Sequence, residues 1–348
     1  MRASRIWSGR GFDRRRAGWR LPSGPPHFRV RMMRTGLDHL PQSKQRELAD
    51  VVRILFEEFE TAHARGNSDW NRKGRIFKIV LYGSYARGDW VDDPVGGYQS
   101  DYDILVVVNN ERLTDFEHWS AAEDRLMREV TINQTLTAPV SFIVHSLKDV
   151  NAQLERGRPF FVDIVEQGIG LYEAEGYEFA QPRELPADEA RIEAEKHFER
   201  WFSIAQRSRR TSKLQLAEGD DVYWRNKAVF ELHQAVEQLY HCTLLVQTLY
   251  SPKSHRLNFL RSQCEQIAPT LIEAWPRDDK FSRRCFELLR LAYVNARYSP
   301  HYKISAEELT WIGERVAVLE SLVEKICRDH IAALDETSFS GGNASDGK

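Results

Sequence analysis

From Gln42 onward, Leu48, Val51, Val52, Ile54, Leu55 and Phe59 recur at helical spacing with charged residues opposite. The pattern predicts one amphipathic helix, ended by the polar stretch 66–74. Two β-branched and aromatic runs follow, Ile76 to Tyr82 and Ile104 to Val108, and both read as buried strands. Between them Gly83-Ser84 turns the backbone into a polar loop punctuated by Gly and Pro. Phe116, Trp119, Leu126 and Val130 predict a helix over 112–130, and Ala138 to His145 predicts a third strand. Phe160 to Tyr172 reads as a helix leading into a short strand at Ile169–Tyr172. The acidic, proline-bearing stretch 173–188 has no period and reads as a connection. Beyond it every pattern is helical: about 188–217, about 221–250, shorter pieces within 255–272, then 280–297 and 306–330. The expected fold class is α+β, a small mixed-sheet domain followed by an all-α bundle. The boundaries are a disordered basic tail 1–36, a sheet domain 37–175, a linker 176–187, a bundle 188–332 and a disordered tail 333–348.

The strand mouth carries the chemistry. Asp101 and Asp103 stand two residues apart at the start of the second strand, so both carboxylates leave the same face. Such a pair repels itself unless a cation lies between, and Mg²⁺ is commonly held by one or two carboxylates plus substrate phosphates. Gly83-Ser84 supplies what a triphosphate needs: close backbone approach, free N–H groups and a hydroxyl. A β-hairpin with acids at its mouth is the simpler structural alternative.

Composition narrows the class. The 348 residues, 29% charged and 11% aromatic, fit a globular chain with room for two domains. No apolar run approaches the ~20 residues that span a bilayer. Cys242, Cys264, Cys285 and Cys327 form no CxxC pair and read as small buried hydrophobes in a reducing compartment, so the expected location is cytoplasmic. The net charge of −2 conceals an asymmetry: residues 1–34 hold ten Arg and one Asp, a net of +9, which leaves −11 for the rest. That remainder excludes a general nucleic-acid binder, so any such contact is local. The basic tail admits three readings: an arm for nucleic acid, a transit peptide, or a disordered tail of upstream sequence read through from an early start codon ahead of Met32-Met33. Its lack of amphipathic period favours the last.

Gly83-Ser84-Tyr85-Ala86-Arg87-Gly88 and Ser100-Asp101-Tyr102-Asp103 resemble the signature of the DNA polymerase β-like nucleotidyltransferases, closest to the minimal and kanamycin nucleotidyltransferase types. An insertion, Asp92 to Gln99, loosens the usual spacing. The resemblance implies Asp101 and Asp103 as catalytic metal ligands, Gly83, Ser84 and Arg87 on the nucleotide phosphates, Mg²⁺ as cofactor and ATP as substrate. The family commonly carries a third carboxylate on the next strand. Here Val140-Ser141-Phe142-Ile143-Val144 has none, and Ser141 stands in the expected place. Asp163 and Glu166 lie farther on and substitute poorly by position; His145, ending the strand, is expected to be structural more than catalytic.

The helical half resembles the HEPN domain, over Lys227 to Leu245 and Ala292 to Ile304. Active HEPN ribonucleases pair an Arg with a His across four to six intervening residues. Arg297-Tyr-Ser-Pro-His301 has three intervening residues, with Pro300 expected to break the helix before His301. The cationic group Arg297, His301 and Lys303 is therefore expected to bind a nucleotide phosphate rather than cleave RNA. Tyr298 and Tyr302 flank His301, neither at the place where self-adenylylation by such pairs occurs. The resemblances together imply transfer of a nucleoside monophosphate, AMP from ATP first, to an unidentified hydroxyl on a small molecule, protein or RNA. The alternatives are a HEPN ribonuclease regulated by the other half, and a non-catalytic nucleotide sensor. No membrane partner is expected, and homodimer formation is compatible with both families.

Overall fold

The computed structural model describes residues 33–64, 69–93, 98–299 and 301–342; the basic segment 1–32 lies outside them, and the described residues form one compact unit. The first half is a four-stranded sheet of order β5–β4–β1–β6. Its strands are β1 (Ile76–Tyr82), β4 (Tyr102–Val108), β5 (Val140–Ser146) and β6 (Ile169–Glu173). A minor ladder, β2 (Asp92–Asp93) with β3 (Tyr98–Gln99), closes the inserted loop. β4 pairs parallel with β5 and antiparallel with β1, which pairs antiparallel with β6.

Alternation sorts the two faces. Ile79, Leu81, Tyr102, Ile104 and Val106 pack under α1 (Gln42–Ala64) and α4 (Ser120–Thr131). Val80, Tyr82, Leu105 and Val107 pack under α5 (Leu147–Glu155) and α6 (Pro159–Gln167). Two short helices, α2 (Asp69–Arg72) and α3 (Gly83–Arg87), complete the sheet domain.

The pattern over 112–130 misleads in one respect. It is not one helix but two 3₁₀ turns, Glu111–Thr114 and Phe116–His118, followed by α4. Phe116 is 64% exposed, while Trp119 is buried with its indole N–H donating to Leu113 O at 2.6 Å. α5 was absent from the apolar pattern; Ser146 caps it by accepting from Asp149 N at 3.1 Å. The chain at the front also joins the sheet, since Gly170 N donates to Arg34 O and Met33 is buried.

The helical half comprises α7 (Ala187–Glu218), α8 (Val222–Thr248), α9 (Leu257–Ile267), a 3₁₀ turn Pro269–Ala274, α10 (Lys280–Tyr298) and α11 (Ala306–Gly342). α11 continues past His330, where the apolar period fades, through Gly342. All four cysteines are free and buried. Among the described residues no helix is long and apolar enough to cross a membrane.

The halves are joined through the end of α8 and through α9. Phe259 belongs to the apolar cluster of the sheet's α5–α6 face, whereas Leu257, Leu260 and Cys264 belong to the bundle core. Tyr250 stacks on Phe160, centroids 4.3 Å apart, and its hydroxyl lies 2.8 Å from His145 Nε2. His145 Nδ1 lies 2.6 Å from Asp149 Oδ2. That bond, the largest cause, holds the Asp149 carboxyl below its usual range despite partial burial. With Nδ1–H donating to Asp149, Nε2 accepts the Tyr250 O–H. His145 is thus a bracket between the halves. Tyr250→Phe keeps the ring packing and removes the hydroxyl, so a stability loss of about 1 kcal/mol is expected in thermal melts.

Candidate active site

The ladder places Tyr82 beside Asp103, and Asp103 beside Ser141 in the parallel pair. The odd-numbered residues Asp101 and Asp103 leave the face shared with Leu105 and Val107, as the strand period requires. Tyr102 between them points the other way, where its hydroxyl donates to Glu47 Oε2 at 3.0 Å. Glu47 also accepts from Thr137 N at 2.9 Å, so α1 and the loop before β5 jointly fix which face the two acids take. A slip of one residue would carry both carboxylates into the core.

At the end of β1 the chain turns at Gly83, φ +71°. A Cβ there would lie 2.5 Å from Asp103 Oδ2 and 3.1 Å from Gln266 Oε1, so the turn is a glycine by both conformation and space. Ser84 is 5% exposed, and its Oγ, like Tyr82 Oη, is buried without a protein partner. Arg87 ends α3, its Nε donating to Asp89 Oδ2 at 3.2 Å.

The carboxylates differ in surroundings. Asp103 is fully buried. Its Oδ1 accepts from Gln263 Nε2 at 2.5 Å and its Oδ2 from Gln266 Nε2 at 2.8 Å. Burial, then the charge of Asp101, pushes the Asp103 carboxyl up to about 8 against those two amides and the nearby Arg87 charge. Asp101 keeps partial exposure. Ser141 Oγ donates to its Oδ2 at 2.9 Å. Burial raises Asp101 too, opposed by the hydroxyls of Ser141 and Ser262 and the charge of Arg256. Asp163 on α6 is raised by burial and then by Glu166, with Arg87 again opposing. Arg87 therefore acts on both Asp103 and Asp163.

The structure brings Gly83, Ser84, Asp101, Asp103 and Ser141 together, as their order in the strands implies. Arg297 and His301 lie elsewhere, on the last turn of α10 and in the loop after it. Among the described residues neither touches the carboxylate cluster. The Arg297 guanidinium sits over Phe230 at 4.7 Å and Tyr293 at 5.0 Å. Tyr293 also stacks on exposed His255, centroids 5.1 Å apart. His301 is exposed. Tyr302 is buried, its hydroxyl donating to Leu288 O at 2.8 Å, whereas Tyr298 is 74% exposed.

Sequence reasoning missed Gln263, Gln266, Ser262 and His255. A glutamine on a helical face carries no local signal, and Gln263 lies 160 positions from the aspartate it contacts.

Two family models match the chain: "Polymerase beta, Nucleotidyltransferase" over residues 69–156 and "HEPN domain" over residues 198–326. The chain carries a nucleotidyltransferase domain followed by a C-terminal HEPN domain. No curated protein matches it. The nucleotidyltransferase match encloses Gly83, Ser84, both aspartates and Ser141; the HEPN match encloses α8, α9, α10 and Arg297-to-His301.

The donor set fits a divalent cation. Two carboxylates share one face beside a buried, unpartnered Ser84 hydroxyl at a glycine turn, and Mg²⁺ needs few protein ligands when phosphates supply the rest. Among the described residues no group of three or more His, Cys, Asp or Glu side chains is placed to hold a metal alone.

Proposed function

We propose that this fusion transfers a nucleoside monophosphate from a nucleoside triphosphate, ATP first, to a hydroxyl acceptor. The observation that carries the reading is the placement of Asp103, two residues after Asp101 on the same face, against the Gly83-Ser84 turn that ends β1. Asp101 and Asp103 would hold Mg²⁺, which when bound offsets charge on the α-phosphate and the leaving pyrophosphate. The Gly83-Ser84 turn presents backbone N–H groups and a hydroxyl to the phosphates, with no Cβ in the way. Arg87, within the charge field of Asp103, adds a cation to the same region. Ser141 stands at the family's third-acid position and orients Asp101 by donating to it. The HEPN half covers the carboxylates with α9 and, through Arg297, Tyr293 and His255, offers a separate cationic and aromatic surface for a nucleotide or acceptor.

Transfer is measured with ATP labelled at the α- or the γ-phosphate, incubated with Mg²⁺ and a panel of hydroxyl acceptors. The α label is expected in product and the γ label in pyrophosphate. Asp101→Ala with unchanged turnover would sink the proposal. RNA cleavage that persists in chelator and vanishes in His301→Ala would instead support the ribonuclease reading. Saturable ATP binding without product would support a sensor.

A further inference from the structure

We propose that α9 is a latch: in the closed protein its Gln263 and Gln266 occupy the Asp103 carboxylate, and metal and nucleotide enter only when the HEPN bundle carries α9 away. The inference rests on the reading of Asp101 and Asp103 as the metal carboxylates.

Four contacts define the closed state. Gln263 and Gln266 take one oxygen each of Asp103, at 2.5 and 2.8 Å. The Ser262 hydroxyl favours the charged form of Asp101. The Gln266 Oε1 also lies 3.1 Å from where a Cβ of Gly83 would stand, so this side chain covers the turn that phosphates would approach. Positions 259, 262, 263 and 266 fall on one helical face by the three-to-four-residue spacing, and that face meets the sheet domain. Asp103 retains no exposure beneath it. An oxygen already engaged by an amide and sealed from solvent has no open side for a cation.

The opposite side of α9 ties it to the bundle. Leu257, Leu260 and Cys264 are in the bundle core. Glu265 is buried between Arg261, at 2.7 Å, and Arg277, at 2.6 Å. Arg261 also donates to Trp275 O at 3.0 Å. α9 therefore cannot peel off alone without exposing that core, and release is a movement of the bundle as a body. The connection permits it, because the chain between Arg183, whose N–H bonds to Leu154 O, and the start of α7 forms no helix or strand. Neutral amides are weak competitors for a carboxylate against a divalent cation backed by phosphates, so the latch yields to its ligand rather than blocking it permanently.

The test compares full-length wild type with Gln263→Ala/Gln266→Ala. Mn²⁺ affinity is read by electron paramagnetic resonance with α,β-methylene-ATP present, and hydrogen exchange of residues 257–267 is followed in parallel. The double variant is expected to bind Mn²⁺ about tenfold more tightly, because the binding-competent fraction rises. Wild-type α9 is expected to exchange faster once Mn²⁺ and nucleotide bind. Equal affinity in two proteins with the same melting behaviour overturns the latch and leaves the metal reading standing. Slower or unchanged exchange of α9 in liganded wild type does the same, and this arm decides alone if the variant does not fold. No Mn²⁺ binding in either protein overturns both the latch and the metal reading.

Discussion

Asp103→Asn is expected to abolish nucleotidyl transfer and at the same time to make the metal-free protein more stable at pH 8. The activity loss follows from removing one of two carboxylates, and a drop of about 10³-fold is expected on the scale of losing a major charge-stabilising group. The stability gain follows from burial. In the folded protein the Asp103 carboxyl is pushed up to about 8, first by burial and then by Asp101, whereas unfolded it titrates near the ordinary 3.8. Below pH about 4 both states hold the proton and its contribution is intact. As pH rises from there to about 8, the unfolded chain releases a proton that the folded one keeps, so wild-type stability falls. Above about 8 no further loss comes from this group. Asparagine has nothing to release. Thermal melts in chelator at pH 4, 6 and 8 are expected to show an Asn-variant advantage that grows with pH. An advantage constant across the range would show that Asp103 does not titrate this way.

Gly83→Ala is expected to destabilise the fold by about 2–4 kcal/mol, combining the left-handed backbone penalty with a forced displacement. The new methyl would stand 2.5 Å from Asp103 Oδ2. Neither the carboxylate nor Gln266 can give way freely, since Asp103 is held by two amides in a buried site. Chemical denaturation measures the loss. Nucleotide affinity should fall with it, because the turn cradles the phosphates in the proposed reaction. A glycine needed only for chain reversal would lose stability from backbone conformation alone, at the low end of that range.

Local chemistry was legible and long-range chemistry was not. β1 and β4 showed as apolar runs, broken by Lys78 in the first and preceded by Asp103 in the second, because both strands are buried on two faces. The glycine turn and both aspartates announced themselves by position relative to those runs. Ser141 was identifiable as the residue in the third-acid place, and the parallel register sets it beside Asp103. The segment 112–130 was harder, since Trp119 is buried by a hydrogen bond to Leu113 O in a 3₁₀ turn, and helical periodicity cannot express that. α5 was missed although Ser146 and Asp149 hold the capping spacing at its start. Gln263 and Gln266 had no sequence signal, because the reason for them is a carboxylate on another domain.

α9 gives one side to each half of the chain, and this bears on how the protein can be divided. Cut between the domains, the sheet half would keep an uncovered acid with no amide over it and bare Phe160 and Phe161 where Tyr250 had packed. The bundle half would display Phe259 and two glutamines with nothing to bind. Two separately expressed pieces would thus be partners that complement one another in solution, and the covalent linker serves mainly to set their effective concentration.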